Sequence, residues 1–569
     1  MSIMRRVSCV VGLALALTLT SIPLANAAQI IARHHMIAAA NPYAAEAGRQ
    51  MMRQGGSAVD AAIAAQLVLT LVEPESSGIG GGDFMMVYDP KTHKVTSFDG
   101  RETAPASATP NMFLDASGQP RHHFDVIPGG LSTGVPGVIA MADMAHKRYG
   151  RLSWAKLFVP AIKLAERGFR VGHKLAAILR AFPQLAAMPD IKRYFYKADG
   201  SPLAEGDVLK NPELARTFRT LAKGGAKAFY SGPIAQRIVD AVTHAGVNPG
   251  GMKLGDLSSY RAIERPAVCG AYRKYRLCSM GPPSSGGVAV LQILGMLERF
   301  SPAQLKPSTA SGVHLFTQAS RLAFADRSMY LGDPDVIHVP VAGLLDSSYI
   351  AQRSALIDPA RDMGTASAGT PPQKHARFAP QRTTQMPGTS HLSVVDDRGQ
   401  VVSMTMTVEF VFGSEVMANG FFLNNELTDF SFEPTRNGMP VANAPAPGKR
   451  PMSAMSPTIA FDPKGRFSIA SGSPGGPAII DFVAQSLIAM IDGGMSAQDA
   501  AALPHALNLN GSTILEEGTA LSLLATQLTA MGHTVSQAGL ESGLHIIRRV
   551  RGGYSGGADP RRDGVALAD

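Results

Sequence analysis

Gly388-Thr389-Ser390-His391-Leu392-Ser393-Val394-Val395-Asp396 runs straight into Asp397-Arg398-Gly399 and then Gln400-Val401-Val402-Ser403-Met404-Thr405-Met406-Thr407. The two flanks are β-branched and alternating, and the middle three residues carry turn chemistry with glycine last, which predicts a hairpin. With Asp397-Arg398-Gly399 as the loop, Asp396 faces Gln400 and, counting outward, Thr389 faces Thr407. Residues so opposed can touch through their side chains. The hairpin therefore sets a threonine at the start of a strand in mid-chain, with a second threonine across the ladder. Taken alone, this pattern is also what an ordinary hairpin with two β-formers carries.

Motifs on either side narrow the reading. Upstream lie Glu75-Ser-Ser-Gly-Ile-Gly-Gly-Gly-Asp83, Gly100-Arg101-Glu102-Thr-Ala-Pro105 and Gly281-Pro-Pro-Ser-Ser-Gly-Gly287. Downstream lie Leu423-Asn-Asn-Glu426-Leu-Thr-Asp429-Phe-Ser431, Lys449-Arg450-Pro-Met-Ser453-Ala-Met-Ser456-Pro-Thr458 and Ser471-Gly-Ser-Pro474-Gly475-Gly476. In this order and spacing, from about residue 30 to Asp569, the chain resembles the γ-glutamyltransferase (glutathione hydrolase) family, whose relatives include cephalosporin acylases. The resemblance implies an α+β fold of the N-terminal-nucleophile hydrolase type: a four-layer αββα sandwich in one intertwined domain. It also implies a precursor that cuts itself at Gly388–Thr389 into a large subunit, 28–388, and a small subunit, 389–569, which stay together as a heterodimer.

The chemistry follows from one residue. A threonine hydroxyl needs a base, and a chain cut before Thr389 gains an α-amine of pKa about 7.7–8.0, able to take the hydroxyl proton near neutrality. By the resemblance, Thr389 attacks a γ-glutamyl amide and Thr407 orients it. Gly475 and Gly476 match the pair whose N–H groups hold the oxyanion. Arg101 matches the arginine for the substrate α-carboxylate, a planar anion that suits a guanidinium, assisted by Ser453. Glu426 and Asp429 match the holders of the α-ammonium. Two positions depart from the usual pattern. Glu409 stands where well-known members carry asparagine, adding negative charge to the substrate-binding set, and Ala454 replaces a second serine. The second change removes a hydroxyl donor from the carboxylate side and so opens the way to other acyl groups, such as glutaryl amides, and to a cephalosporin-acylase-like specificity. The segment between Asp429 and Arg450 is shorter than in members with a long lid, which implies a more open cleft. An unprocessed binding protein is the alternative of a different class; the retained Thr389, Thr407, Gly475 and Gly476 argue against it.

Other fingerprints fail. Position 471 is serine, so Ser473 does not sit in a G-x-S-x-G elbow, and Asp83 occupies the third-glycine position of a dinucleotide-binding loop. The proposed machinery implies no cofactor, and the cysteines have no metal-binding spacing.

Composition bounds the rest. The 569 residues are 45% hydrophobic and 17% charged, enough for a substantial core. The net charge of +9 is scattered with no basic, aromatic-rich run, so no nucleic-acid partner is indicated. Arg5-Arg6, the apolar run Val7 to Leu19 and Ala25-Asn26-Ala27 form a secretory leader, residues 1–27, which predicts a periplasmic or secreted protein with no membrane span once it is removed. Cys9 leaves with that leader. Cys269 and Cys278 flank a predicted hairpin centred on Arg273-Lys274 and face each other across it; a disulfide and two reduced thiols both fit. Ser57 is expected to cap a buried helix starting at Ala58. The stretch 153–300 reads as mostly helical, and 362–388 as a flexible connector without periodicity.

Overall fold

The computed structural model describes residues 31–372, 376–381 and 388–569; the expected leader lies outside them. Two seven-stranded antiparallel sheets stack face to face. The first runs Val565–Ala568, Met36–Ala39, Thr389–Val395, Val401–Thr407, Gly82–Asp89, Lys94–Asp99 and Ile263–Pro266. The second runs Ile31–Ala32, Gly553–Ala558, His545–Val550, Phe467–Ser471, Thr458–Phe461, Tyr275–Ser279 and Val268–Tyr272. Helices Pro42–Arg53 and Ala58–Val72 cover the outer face of the first sheet. Helices Gly286–Leu297, Ala310–Tyr330 and Ile479–Ile491 pack on the outer side of the second. The result is a four-layer αββα sandwich.

The central hairpin has the expected register, with Thr389 opposite Thr407 and Val395 opposite Val401, and Gly399 closes its loop at φ +80°. Leu392, Val394, Val402 and Met404 face the first helical layer. The other face carries polar residues into the gap between the sheets, where burial demands partners. They have them: His391 Nδ1 pairs with Thr405 Oγ1 at 2.8 Å, Ser393 donates to the His545 carbonyl at 2.9 Å, and Ser403 donates to the Ser471 carbonyl at 3.1 Å. The first bond lies within the hairpin, and the two serine bonds tie the first sheet to the second.

The helix after Ser57 is buried along its whole length, Ala58–Val72, which explains its nearly uninterrupted apolar sequence. Ser57 and Asp60 form a reciprocal capping box, satisfying two donors that the helix start leaves open. The helix ends at Glu73, and the chain then enters the Glu75–Asp83 motif beside the hairpin. Between Ser153 and Phe300 the chain is mostly helical, as expected, apart from five short strands. Arg273 and Lys274 adopt positive φ in the two-residue turn, Cys269 pairs with Cys278 in register, and the two sulfurs are bonded with Cα atoms 4.1 Å apart.

The connector differs from the expectation. Over its described parts it is held by polar side chains distant in sequence. The Met363 N–H donates to Gln318, Ala366 N–H to Asn510 and Gly369 N–H to Asp326. Farther on, Gln381 N–H donates to the Ser328 carbonyl. Lack of periodicity reflected backbone bonding to distant side chains, not freedom. Residues 373–375 and 382–387 of that stretch lie outside the described residues. Among the described residues no helix is long and apolar enough to cross a membrane.

Candidate active site

Thr389 opens the central strand and is 4% exposed. Its Oγ1 lies 3.2 Å from Thr407 Oγ1 and 2.7 Å from the Gly388 carbonyl oxygen. Thr407 Oγ1 reaches that same carbonyl at 2.5 Å and accepts the Glu409 N–H at 2.8 Å. With the Glu409 amide filling its acceptor side, the Thr407 hydroxyl is turned to donate to Gly388. The carbonyl of the bond before Thr389 is thereby polarised. Gly388 itself is a packing requirement, since a Cβ there would sit 2.3 Å from the Glu409 carbonyl oxygen.

A small pocket opens on Thr389. Thr407, Arg101, Glu409, Glu426, Asp429, Ser453 and Gly476 line it, along with Ala454, Met455 and Ile479. Every catalytic and substrate-binding residue expected from the sequence is here except Gly475. None of residues 430–450 contributes to the lining among the described residues.

Arg101 follows the strand Lys94–Asp99, and Asp99 accepts its backbone N–H at 2.8 Å. Its side chain is 1% exposed and fully engaged. One terminal nitrogen pairs with Glu426, the other with Asp429 at 2.5 Å, and the carbonyls of Pro451 and Met452 accept at 3.1 Å. The arginine and the two acids expected to hold opposite ends of a zwitterion thus hold each other. Burial alone would lower the arginine pKa, but Glu426, Asp429 and Glu102 keep it above the ordinary value. Burial raises Glu102 to about 8, against the pull of Arg101, and pushes Glu426 well above the carboxylate range. A buried carboxyl keeps its proton when the medium cannot solvate its charge.

Glu409 sits at φ +80° and accepts the Asn425 amide at 2.5 Å. Three acidic side chains therefore line the pocket against one arginine. Ser453 is set by the Gly281–Gly287 motif: Ser285 donates from its backbone and side chain to the Ser453 carbonyl, and Ser284 donates to the Met455 carbonyl at 2.6 Å. Ser453 Oγ accepts the Met455 N–H. Ala454 lines the pocket without a hydroxyl.

Gly475 and Gly476 follow the strand Phe467–Ser471 and lead into the helix Ile479–Ile491. Their φ values, +134° and +57°, lie where a side chain would strain the backbone. Gly476 lines the pocket with Thr389, whereas Gly475 lines a separate cleft with Gly388. The pair flanks the 388–389 bond near a helix N-terminus, where N–H groups and the helix dipole favour negative charge.

Sequence reasoning missed several neighbours. Arg562 donates to the Thr389 carbonyl at 3.0 Å, fixing the residue's main chain. Ser390 donates to Glu73 at 2.6 Å and accepts from Ser77. Arg561-Arg562 is an unremarkable pair of charges in the sequence; only the fold carries it to the start of the hairpin. Among the described residues no group of three His, Cys, Asp or Glu side chains is arranged to hold a metal ion.

Comparison with known proteins agrees with this geometry. The sequence model of the Gamma-glutamyltranspeptidase family matches residues 44–569. The glutathione hydrolase proenzyme of Bacillus subtilis (strain 168) is 37% identical over 550 residues, covering 94% of this chain and 92% of its own. The acylase ACY 1 proenzyme of Pseudomonas sp. (strain V22) is 34% identical over 549 residues, 94% and 93% of the two chains. Among solved structures, cephalosporin acylase from Bacillus halodurans superimposes with a TM-score of 0.83 at 27% identity, covering 95% and 97%. The chain belongs to the γ-glutamyltranspeptidase family of N-terminal-nucleophile hydrolases and is an enzyme of the γ-glutamyltransferase and glutathione hydrolase type.

Proposed function

We propose that the protein is exported by its leader, residues 1–27, and cuts itself at Gly388–Thr389 into subunits 28–388 and 389–569, which remain paired. Thr389 is then the nucleophile. Its Oγ forms a bond to the γ-carbonyl carbon of glutathione or a related γ-glutamyl compound, and the hydroxyl proton passes to the new α-amine. The amide C–N bond breaks, the proton follows the leaving amine, and water or an acceptor amine releases the acyl group. Thr407 orients Thr389, and the N–H groups around Gly475 and Gly476 stabilise the oxyanion.

One observation carries the choice of acyl group: Arg101 is held between Glu426 and Asp429 in the pocket beside Thr389. A zwitterionic glutamyl end can enter by exchange, its carboxylate taking Arg101 and its ammonium taking the acids. Each buried charge then trades one partner for another. A glutaryl group offers only the carboxylate: it would draw Arg101 from its acid partners and supply no cation in return, which is costly for a buried acid. Glu409 adds to the same preference. The cephalosporin-acylase-like reading rests on Ala454, which takes one hydroxyl donor from the carboxylate side, and on the similarity to that acylase structure.

The test compares anilide release from γ-glutamyl and glutaryl substrates, with and without a dipeptide acceptor. Preference for the γ-glutamyl anilide by tenfold or more supports the exchange. Glutaryl cleavage with no γ-glutamyl cleavage would overturn the substrate while leaving the threonine mechanism in place.

A further inference from the structure

Two cavities meet at the 388–389 bond. The acidic pocket holds Thr389 and Gly476, and a larger cleft holds Gly388 and Gly475. We propose that this larger cleft receives the leaving amine, and that it selects amines bearing an aromatic or large apolar side chain together with a free carboxylate. The inference rests on Thr389 forming the acyl-enzyme with the acyl group in the acidic pocket, so that the departing amine emerges on the opposite side.

The walls differ in kind from those of the acidic pocket. Phe124, Phe182, Phe410 and Phe482 line the cleft. Phe410 is met by Phe124 and by Phe182 with ring centroids 5.8 and 6.3 Å away, both edge to face. Phe124 is 48% exposed and packs one edge on Phe410, leaving the rest of its ring open to the cleft. Its placement at the edge of a cleft beside the bond suits a ring arriving with substrate.

The charges also differ. Lys174, Arg561, Arg562 and His173 line the cleft, against the carboxyls of Glu75 and Glu541. Glu516 and Asp559 neutralise Arg561. Arg562 is 8% exposed and donates only to carbonyls, those of Thr389, Ser542 and Glu541, with no ion pair among the described residues. A buried guanidinium without a carboxylate favours an anion nearby. Lys174 donates to Ser76 at 2.6 Å and stands 3.5 Å from Glu75. Glu75 is 1% exposed, and neither of its carboxyl oxygens has a hydrogen-bond partner. Burial raises Glu75 to about 7, so near neutrality it cancels only part of the cationic field. Glu75, Lys174 and Arg562 thus stand in one wall of the cleft, an acceptor for the departing amine beside cations for its carboxylate.

The experiment measures kcat/KM for amine release from three donors with one acyl group: γ-glutamylphenylalanine, γ-glutamylglycine, which lacks the ring, and γ-glutamylphenethylamide, which lacks the carboxylate. The phenylalanine donor is expected to exceed each of the others by about tenfold. Lys174→Gln should lower the phenylalanine-to-phenethylamide ratio, and Phe124→Ala the phenylalanine-to-glycine ratio. Equal kcat/KM for the three donors in the parent enzyme overturns the proposal, as does a ratio that neither variant moves. If no γ-glutamyl donor is cut but glutaryl anilide is, the acyl assignment has failed. The same comparison is then run with glutaryl amides of the three amines and decides the cleft by the same criterion.

Discussion

Thr407 Oγ1 lies 3.2 Å from Thr389 Oγ1 and 2.5 Å from the Gly388 carbonyl oxygen, so one hydroxyl bridges the threonine and the peptide bond in front of it. If Thr389 attacks that carbonyl during maturation, the donor from Thr407 strengthens as charge develops on the oxygen. Losing such a donor costs about 10²–10³ in rate. Thr407→Val should therefore slow the appearance of two bands on a denaturing gel by about a hundredfold, and Thr407→Ser should restore most of the rate. A valine variant that matures as fast as the parent would remove Thr407 from the cleavage step.

Gly388 is the second maturation test. Its Cβ position falls 2.3 Å from the Glu409 carbonyl oxygen and 3.0 Å from the Phe410 carbonyl carbon, both backbone atoms that cannot swing aside. Gly388→Ala must displace the bond that Thr407 polarises. The expected outcome is cleavage slowed at least tenfold, read as precursor persisting over a time course, with the circular dichroism of the precursor unchanged. Cleavage at the parental rate would mean that the observed seat of Gly388 is not the reactive one.

What could be read from the sequence depended on distance along the chain. The Thr389–Thr407 register was legible because a three-residue loop fixes it locally. The pocket residues were legible through their motifs, yet their charges were not: that Arg101 pairs with Glu426 and Asp429 is a property of packing between segments more than 300 positions apart. Arg562 and Glu73 reach the hairpin across 173 and 317 positions, and nothing local marks either. The connector was misread because its anchors are backbone groups bound to Gln318, Asp326 and Asn510, which leave no periodic trace.

The Cys269–Cys278 bond closes a short hairpin at the edge of the second sheet. Cross-linking a loop of that length restricts the unfolded chain by about 2–3 kcal/mol. The double variant Cys269→Ser with Cys278→Ser should lower stability to denaturant by that order, with little change in m, since the same surface is exposed on unfolding. The parent should show no free thiol in the mature protein when denatured without reductant. Two titratable thiols there would show that the bond does not form.

His505 gives a pH test with a definite sign. It is fully buried, pairs through Nε2 with Ser542 Oγ at 2.9 Å, and Ser542 in turn donates to Asp559 beside Arg561. Burial, with a further push from Arg561 against Asp559, lowers its pKa to about 3. An unfolded chain takes up that proton near pH 6.5, so between about pH 6.5 and 3 the unfolded state binds one more proton there than the folded state. This contribution to stability is fully present above pH 6.5 and is lost as pH falls toward 3. Replacing His505 by a residue that does not titrate, as in His505→Gln, should reduce the slope of unfolding free energy against pH in that window by about 1.4 kcal/mol per unit. Urea unfolding at pH 4.5, 5.5 and 6.5 reads the slope directly. The variant is expected to be less stable than the parent at pH 6.5, because glutamine replaces poorly the bond to Ser542 and the ring contact of His505 with Phe482, centroids 4.4 Å apart, and to close that gap as the medium is acidified. Parallel stability profiles for the two proteins across the three pH values would show that His505 is already protonated in the fold, and that the chain from His505 through Ser542 to Asp559 is an ion-paired one.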